Sequence, residues 1–355
     1  MIANMEQAKS FQLDGEPIYC DRYGNGHINE TYLLVDSTAR EYILQKINKN
    51  VFKQPDKLME NIAAVTGHLR KAAASHRETL RLIPTREGQN WLVDGGGEYW
   101  RLYEFVTDSF CLEKTENQAD FRESALTFGR FQRQLADFPA DRLHETIPRF
   151  HDTPNRYAAF KAAVSADSHG RAKEVRAEID FALAREEFGA ALMNLSGKGE
   201  LPLRVTHNDT KLNNVLFDRE SRRGLCVIDL DTVMPGLMAN DFGDSIRFGA
   251  STAAEDERDL SKVNFSLPLY TAYTEGFLEA CGESVTDCER AHLPHGAAIM
   301  TLECGIRFLA DYLSGDVYFR TSRPGHNLDR CRTQFKLVAD MEKAWDEMRE
   351  IAQRF

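Results

Sequence analysis

Residues 201–236 read LPLRVTHNDTKLNNVLFDRESRRGLCVIDLDTVMPG, an order of strand, polar loop, strand, tight turn and strand. The apolar segments L-x-L-x-V, V-L-F and L-C-V-I bracket a loop too polar to be buried without a task. The turn at 219–224, RESRRG, joins two short apolar runs as a hairpin connection does. His207, Asp209, Lys211 and Asn214 fall in the polar loop, and the last strand ends in Asp229 and Asp231. One candidate base, one amide and two carboxylates are thereby brought to the same end of a small hairpin.

The spacing H-x-D-x-x-x-x-N, followed by a short gap and an apolar strand closing in Asp, has a mechanical reading in phosphoryl transfer. Asp209 accepts or orients the proton of an acceptor hydroxyl. Asn214 and Asp229 hold Mg²⁺ against the nucleotide phosphates, since amide and carboxylate oxygens are the hard ligands that ion prefers. Lys211, two residues past Asp209, is placed to neutralise the transferring phosphoryl group, the alternative being a solvated loop lysine. His207 reads as a packing residue of the loop.

The run His207-Asn208-Asp209-Thr210-Lys211-Leu212-Asn213-Asn214, taken with Ile228-Asp229, resembles the aminoglycoside phosphotransferase and choline kinase superfamily of small-molecule kinases. A closer resemblance, to bacterial N-acetylhexosamine 1-kinases, is carried by THNDTK-x-NN, VIDLDTVMPG, YG-x-GHIN and FL-x-DYL-x-GD-x-YF, and extends from Tyr23 to about Phe335. It implies an α+β, bilobal protein-kinase-like fold. A small antiparallel-sheet lobe for the nucleotide is expected over residues 1–107, and a larger, mostly helical catalytic and acceptor lobe over 108–355. It also implies ATP as co-substrate with Mg²⁺, and an acceptor phosphorylated at the anomeric hydroxyl, N-acetylglucosamine or N-acetylgalactosamine. Read from the residues alone, the acceptor is a small hydroxylated molecule, so choline, homoserine, methylthioribose and aminoglycosides stay open. So does a non-catalytic nucleotide-binding protein of the same fold.

Composition sets the outer bounds. A chain of 355 residues is long for one core and suggests two lobes. Its 42% hydrophobic and 28% charged residues are ordinary for a globular protein, and a net charge of −11 disfavours nucleic acid or an anionic membrane as partner. No apolar run approaches membrane-spanning length, and MIANMEQAKS has no signal-peptide core. Seven cysteines without CxxC spacing fit a reducing compartment, so a cytoplasmic location is expected, with oligomeric state left open.

The N-terminal third reads as strands. Residues 16–47 give three, and the loop Tyr23-Gly24-Asn25-Gly26-His27 between the first two can bring backbone N–H groups to a phosphate, or serve as a plain hairpin turn. The third strand should carry a cation for the phosphates. The wider superfamily's register puts Gln45 at that position, with Lys46 beside it; only one of two neighbours can face the nucleotide, and Lys46 is favoured on charge. Glu60, in a helix expected over 55–76, is a candidate partner for that cation. RLIPT, WLVD and EYWRLYEFV are expected as further strands, and the resemblance makes Glu104 to Val106 the hinge whose backbone meets adenine.

Beyond residue 117 the pattern turns helical. Helices are expected near 170–196, 256–280, 292–314 and 326–353. By the resemblance, Asp241 hydrogen-bonds the backbone of the catalytic loop; a helix N-cap is the plainer role. Asp231 could reach a second Mg²⁺ or the acceptor. In the helix at 292–314, Glu303, Arg307 and Asp311 form a polar stripe, either a solvated ladder or a wall facing the acceptor. Asp316 and Tyr318 just beyond it, beside Phe319, supply an acceptor and an aromatic group suited to a sugar face.

Overall fold

The computed structural model describes residues 4–24, 26 and 28–355. It comprises two compact units. The first is Met1–Phe110, Asp137–Pro148 and Leu216–Met234; the second is Cys111–Ala136, Arg149–Val215 and Pro235–Phe355. The expected single boundary after residue 107 is therefore not how the chain groups. The hairpin arm that ends in Asp229 groups with the first unit.

In the first unit, β1 (Pro17–Arg22), β2 (Glu30–Asp36), β3 (Glu41–Lys46), β4 (Leu92–Val93) and β5 (Tyr99–Glu104) form an antiparallel sheet in the order β1-β2-β3-β5-β4. The alternation that marks them in sequence reappears as burial: Leu34, Tyr42, Leu44, Trp100 and Leu102 pack on one core with Phe11 and Ala8. Asp36 fixes the β2–β3 turn by accepting from the amides of Thr38 (2.9 Å) and Arg40 (3.0 Å). RLIPT, expected as a strand, makes only isolated bridges, Leu82 with Tyr103 and Thr85 with Phe11. Pro84 has no N–H to extend a ladder, which is the physical reason. Helix α1 (Pro55–Ala72) starts at a proline and buries Leu58, Ile62, Val65 and Leu69. A second, three-stranded sheet joins β6 (Ser109–Phe110), β7 (Val215–Asp218) and β8 (Gly224–Val227).

The second unit is helical. Its frame is α2 (Gln118–Gln134), α3 (Thr153–Ala166), α4 (Met238–Gly249), α5 (Leu267–Cys281), α6 (Asp287–Leu313), α7 (His326–Lys343) and α8 (Trp345–Arg354). A capping box of Thr286 and Glu289 opens α6, the central helix. Its apolar stripe, Leu302, Ile306, Leu309 and Leu313, is buried against Tyr157, Phe160, Phe335 and Val338. Two expected helices are broken. The stretch 170–196 divides into Arg176–Leu183, Glu186–Gly189 and Ala191–Gly197, and the C-terminal helix is interrupted at Ala344. Among the described residues no helix is long and apolar enough to cross a membrane.

The approach of α4 to α6 positions the site. A Cβ on Gly296 would stand 2.0 Å from the carbonyl oxygen of Ala239, and one on Gly243 would stand 2.2 Å from that of Gly296. Both obstacles are backbone, so neither can swing aside. Gly296→Ala should therefore force the helices apart and cost about 1–3 kcal/mol. A thermal melt should show a midpoint several degrees lower, and an unchanged midpoint would mean that this contact does not set the packing distance.

Candidate active site

In the second unit the polar loop is held from behind by α4. The Asp241 carboxylate accepts from the backbone N–H groups of His207 (2.8 Å) and Asn208 (2.7 Å) and from Gln132 Nε2 (2.8 Å). Thr210 Oγ1 donates to the Asp241 carbonyl, Ser245 Oγ to the Thr210 carbonyl (2.7 Å), and the Tyr273 hydroxyl to Ser245 Oγ (2.6 Å). Asp241 is 2% exposed, and burial pushes its carboxyl upward, with His207 and the two backbone donors opposing. His207 is fully buried and edge-on to Phe128 and Phe131; its Nδ1 accepts from the Asp209 amide at 3.3 Å. Asn208 takes a left-handed φ of 63°, which asparagine tolerates better than most residues.

This scaffold brings Asp209, Lys211 and Asn214 together. Lys211 Nζ lies 2.7 Å from Asp209 Oδ1, and Asn214 Nδ2 donates to Asp209 Oδ2 (3.1 Å) and to the Asp209 carbonyl (2.8 Å). Burial raises the Asp209 carboxyl, but the Lys211 ammonium, with His207 and Arg247 adding to it, outweighs burial and holds the group below the ordinary value of 3.8. Reciprocally, burial lowers the Lys211 ammonium, but Asp209 together with Asp244 outweighs it and keeps the group above its usual range. The pair is ionised at neutral pH. Asn214 spends its N–H₂ on Asp209, leaving its amide oxygen unused among the described residues.

The candidate acceptor residues lie further along the same unit. Arg307 sits over the rings of Phe150 (5.9 Å) and Phe319 (5.5 Å) and within electrostatic reach of Arg156. Glu303 is buried, accepting from Thr153 Oγ1 (2.6 Å) and facing His151 Nδ1 at 3.0 Å; His151 Nε2 lies 3.3 Å from the Asn208 carbonyl. Asp311 and Asp316, expected at the acceptor, are engaged by other groups of the same unit. Asp311 accepts from the amides of Val317 (3.0 Å), Tyr318 (2.8 Å) and Phe319 (2.9 Å), and Asp316 pairs with Arg171 (2.7 Å). Together with Asn327 they build the loop that presents Tyr318, which is 72% exposed.

The first unit carries the other candidates. Asp229, after β8, takes a left-handed φ of 58°, and Asp231 is 4% exposed. Gly24 has a φ of 72°, as a glycine at a tight turn permits, and Gly26 follows; His27 lies outside the described residues. Lys46, favoured as the nucleotide cation, pairs with Glu30 and Glu98 at 3.8 and 3.5 Å. Glu60 pairs with His144 Nε2 at 2.6 Å and not with the strand cation. In the hinge segment the Val106 carbonyl accepts from Ser109 Oγ (2.6 Å), and the Val106 N–H has no partner among the described residues. Glu104 pairs with Arg81 at 3.3 Å.

Sequence reading missed Arg101 and His151. Arg101 is 1% exposed and ion-paired with Asp231, and Asp231 strongly favours its charged form against burial. A lone arginine inside the apolar run YWRLYEFV was its available signal. His151 had none, since its partner Glu303 is 152 positions away.

A sheet unit, a helical unit and an ionised Asp–Lys pair tied to an asparagine are the parts expected of a small-molecule phosphotransferase. The profile of the phosphotransferase enzyme family (APH) matches residues 20–274, and the chain belongs to that family. Solved structures share the fold along nearly the whole length. One is an aminoglycoside phosphotransferase from Alicyclobacillus acidocaldarius subsp. acidocaldarius DSM 446, at 12% identity and TM-score 0.66, covering 98% of this chain and 96% of that one. A microcompartment-associated aminopropanol kinase is 16% identical with TM-score 0.59, covering 97% of both chains. Amicoumacin kinase, in a complex with AMP-PNP, Ca²⁺ and Ami, is 12% identical with TM-score 0.60, covering 94% of this chain and 92% of that one.

Proposed function

We propose that the protein transfers the γ-phosphoryl group of ATP to the anomeric hydroxyl of an N-acetylhexosamine, giving a sugar 1-phosphate. The observation that carries the phosphotransfer reading is the ionised Asp209 held between Lys211 and Asn214. Asp209 orients the acceptor hydroxyl and takes up its proton as the oxygen bonds to the γ-phosphorus and the bond to the ADP oxygen breaks. Lys211 offsets charge on the transferring group. Little covalent work is asked of the protein in so loose a transition state, and positioning with electrostatics supplies most of the rate. The donor set fits a hard cation: the amide oxygen of Asn214 and the carboxylate of Asp229 are the ligands proposed for Mg²⁺. When bound, that ion neutralises charge on the β- and γ-phosphates.

For the acceptor, the reading rests on the sequence runs shared with N-acetylhexosamine 1-kinases and on the charge around Arg307. Arg307 stands over the rings of Phe150 and Phe319, with the Arg156 guanidinium and the buried, already engaged Glu303 carboxylate within electrostatic reach. A cationic amine would be repelled there, whereas neutral hydroxyl and N-acetyl oxygens would find donors. ADP release should be measured with Mg²⁺·ATP across free sugars, choline, homoserine, aminopropanol and kanamycin. Turnover confined to N-acetylglucosamine and N-acetylgalactosamine, with an acid-labile phosphate product, is expected. Turnover with an amine alone would overturn the acceptor and leave the catalytic residues standing.

A further inference from the structure

One row of side chains crosses the N-terminal sheet where kinases carry a strand lysine. Thr31 pairs with Gln45 in the β2–β3 register, and Gln45 with Arg101 in the β3–β5 register. Successive strand residues face opposite ways, so Lys46 projects from the other face. On the row, Gln45 Nε2 donates to Thr31 Oγ1 (3.0 Å) and Gln45 Oε1 accepts from Arg101 Nε (2.9 Å). Arg101 then reaches Asp231 through Nη1. The second oxygen of Asp231 accepts from Asn29 Nδ2, and Asn29 Oδ1 accepts from the Asn48 amide at 3.0 Å. The chain of contacts thus runs from the strand behind the glycine-bearing loop to the turn that bears Asp229. All of it lies within the first unit.

From this geometry we infer that Arg101 is the nucleotide-lobe cation of this protein, moved from β3 to β5, and that Asp231 is its counter-ion, not a metal or acceptor ligand. Both oxygens of Asp231 are committed, and neither member of the pair is more than 4% exposed. Arg101 acts as a positioning residue. A bare carboxylate in this place would drift toward water or a metal, whereas the paired one anchors the turn two residues from Asp229 and, through Asn29, the end of the glycine-bearing loop. Glutamine at 45 is then a spacer that orients the guanidinium, and Lys46 and Glu60 are released to the surface pairs they make. The inference rests on the role of Asp229 in nucleotide binding proposed above.

Relocating the charge is the test. Arg101→Gln should weaken Mg²⁺·ATP binding, followed with a fluorescent ATP analogue, by about 10–100-fold, as loss of a supporting partner of a metal ligand does. Gln45→Lys combined with Arg101→Gln returns a cation to the same row and should recover most of that loss. KM for ATP should follow binding, with kcat changing less. If the single variant does not fold, the double variant still tests the idea, since restored folding together with binding is expected from it. Asp231→Asn keeps the shape and removes the charge, and should weaken binding about ten-fold at fixed Mg²⁺. Folded variants that bind Mg²⁺·ATP as wild type does, or a double variant no better than Arg101→Gln, would overturn the inference. A wild-type protein that binds no Mg²⁺·ATP would instead defeat the underlying nucleotide reading.

Discussion

Asp209→Asn should lower kcat by about 10²–10⁴-fold, the range spanned by loss of a positioned general base, and leave ATP affinity nearly unchanged. The substitution conserves size but presents an N–H₂ either to Lys211 Nζ or to Asn214 Nδ2, both donors already turned toward the carboxylate. One of those contacts must therefore become repulsive, and the proton acceptor is lost with it. Single-turnover kinetics alongside nucleotide titration separates the two effects. The pH profile follows from the same pair. With its carboxyl held below 3.8, Asp209 is ionised above that value and is protonated only as pH falls through its lowered one. No acidic limb belonging to Asp209 is expected between about pH 5 and 8. Near-normal turnover in the variant would remove Asp209 from the role of base, whereas an acidic limb near neutrality that disappears in it would keep that role and overturn the lowered titration.

The candidate catalytic hairpin was legible as a local structure because its information is local. Thr206 to Asn214 form one loop, their order fixes their spacing, and an apolar run closing in Asp229 is visible without any coordinates. Helix α6 was legible too, since Leu302, Ile306, Leu309 and Leu313 mark one face by period alone. What escaped notice is carried by contacts that sequence order does not encode. Arg101 and Asp231 are 130 positions apart, and nothing in either neighbourhood announces the other. Asp311 illustrates the opposite case. Its spacing from Glu303 and Arg307 left a wall facing a ligand open, but the chain turns just after α6, and three amides at 317–319 reach the Asp311 carboxylate. A short loop competes for a carboxylate at little entropic cost, and periodicity does not register that competition.

The same distinction between local backbone and distant partner decides how Asp229 should be probed. Alanine is the usual replacement, but Asp229 holds φ at 58°, a left-handed value that asparagine and aspartate accept and alanine resists. Asp229→Ala would mix strain in the turn with loss of the carboxylate. Asp229→Asn keeps the backbone preference and removes only the charge, so its effect reads on the metal. Replacing a charge-assisted contact by a neutral one should cost about 1.5–3 kcal/mol, or about 10–150-fold in affinity for Mg²⁺·ATP. Affinity for ATP without metal should be unchanged or slightly improved, since one negative charge near the phosphates is gone. Calorimetric titration with and without Mg²⁺ separates these expectations, and rising Mg²⁺ should recover part of the loss. If both titrations weaken equally, Asp229 supports the turn and does not bind the metal. If only the Mg²⁺-dependent part falls, the strained residue is explained by what it holds: a backbone kept left-handed by the contacts around it presents one carboxylate at a fixed place, which a relaxed strand end would not do.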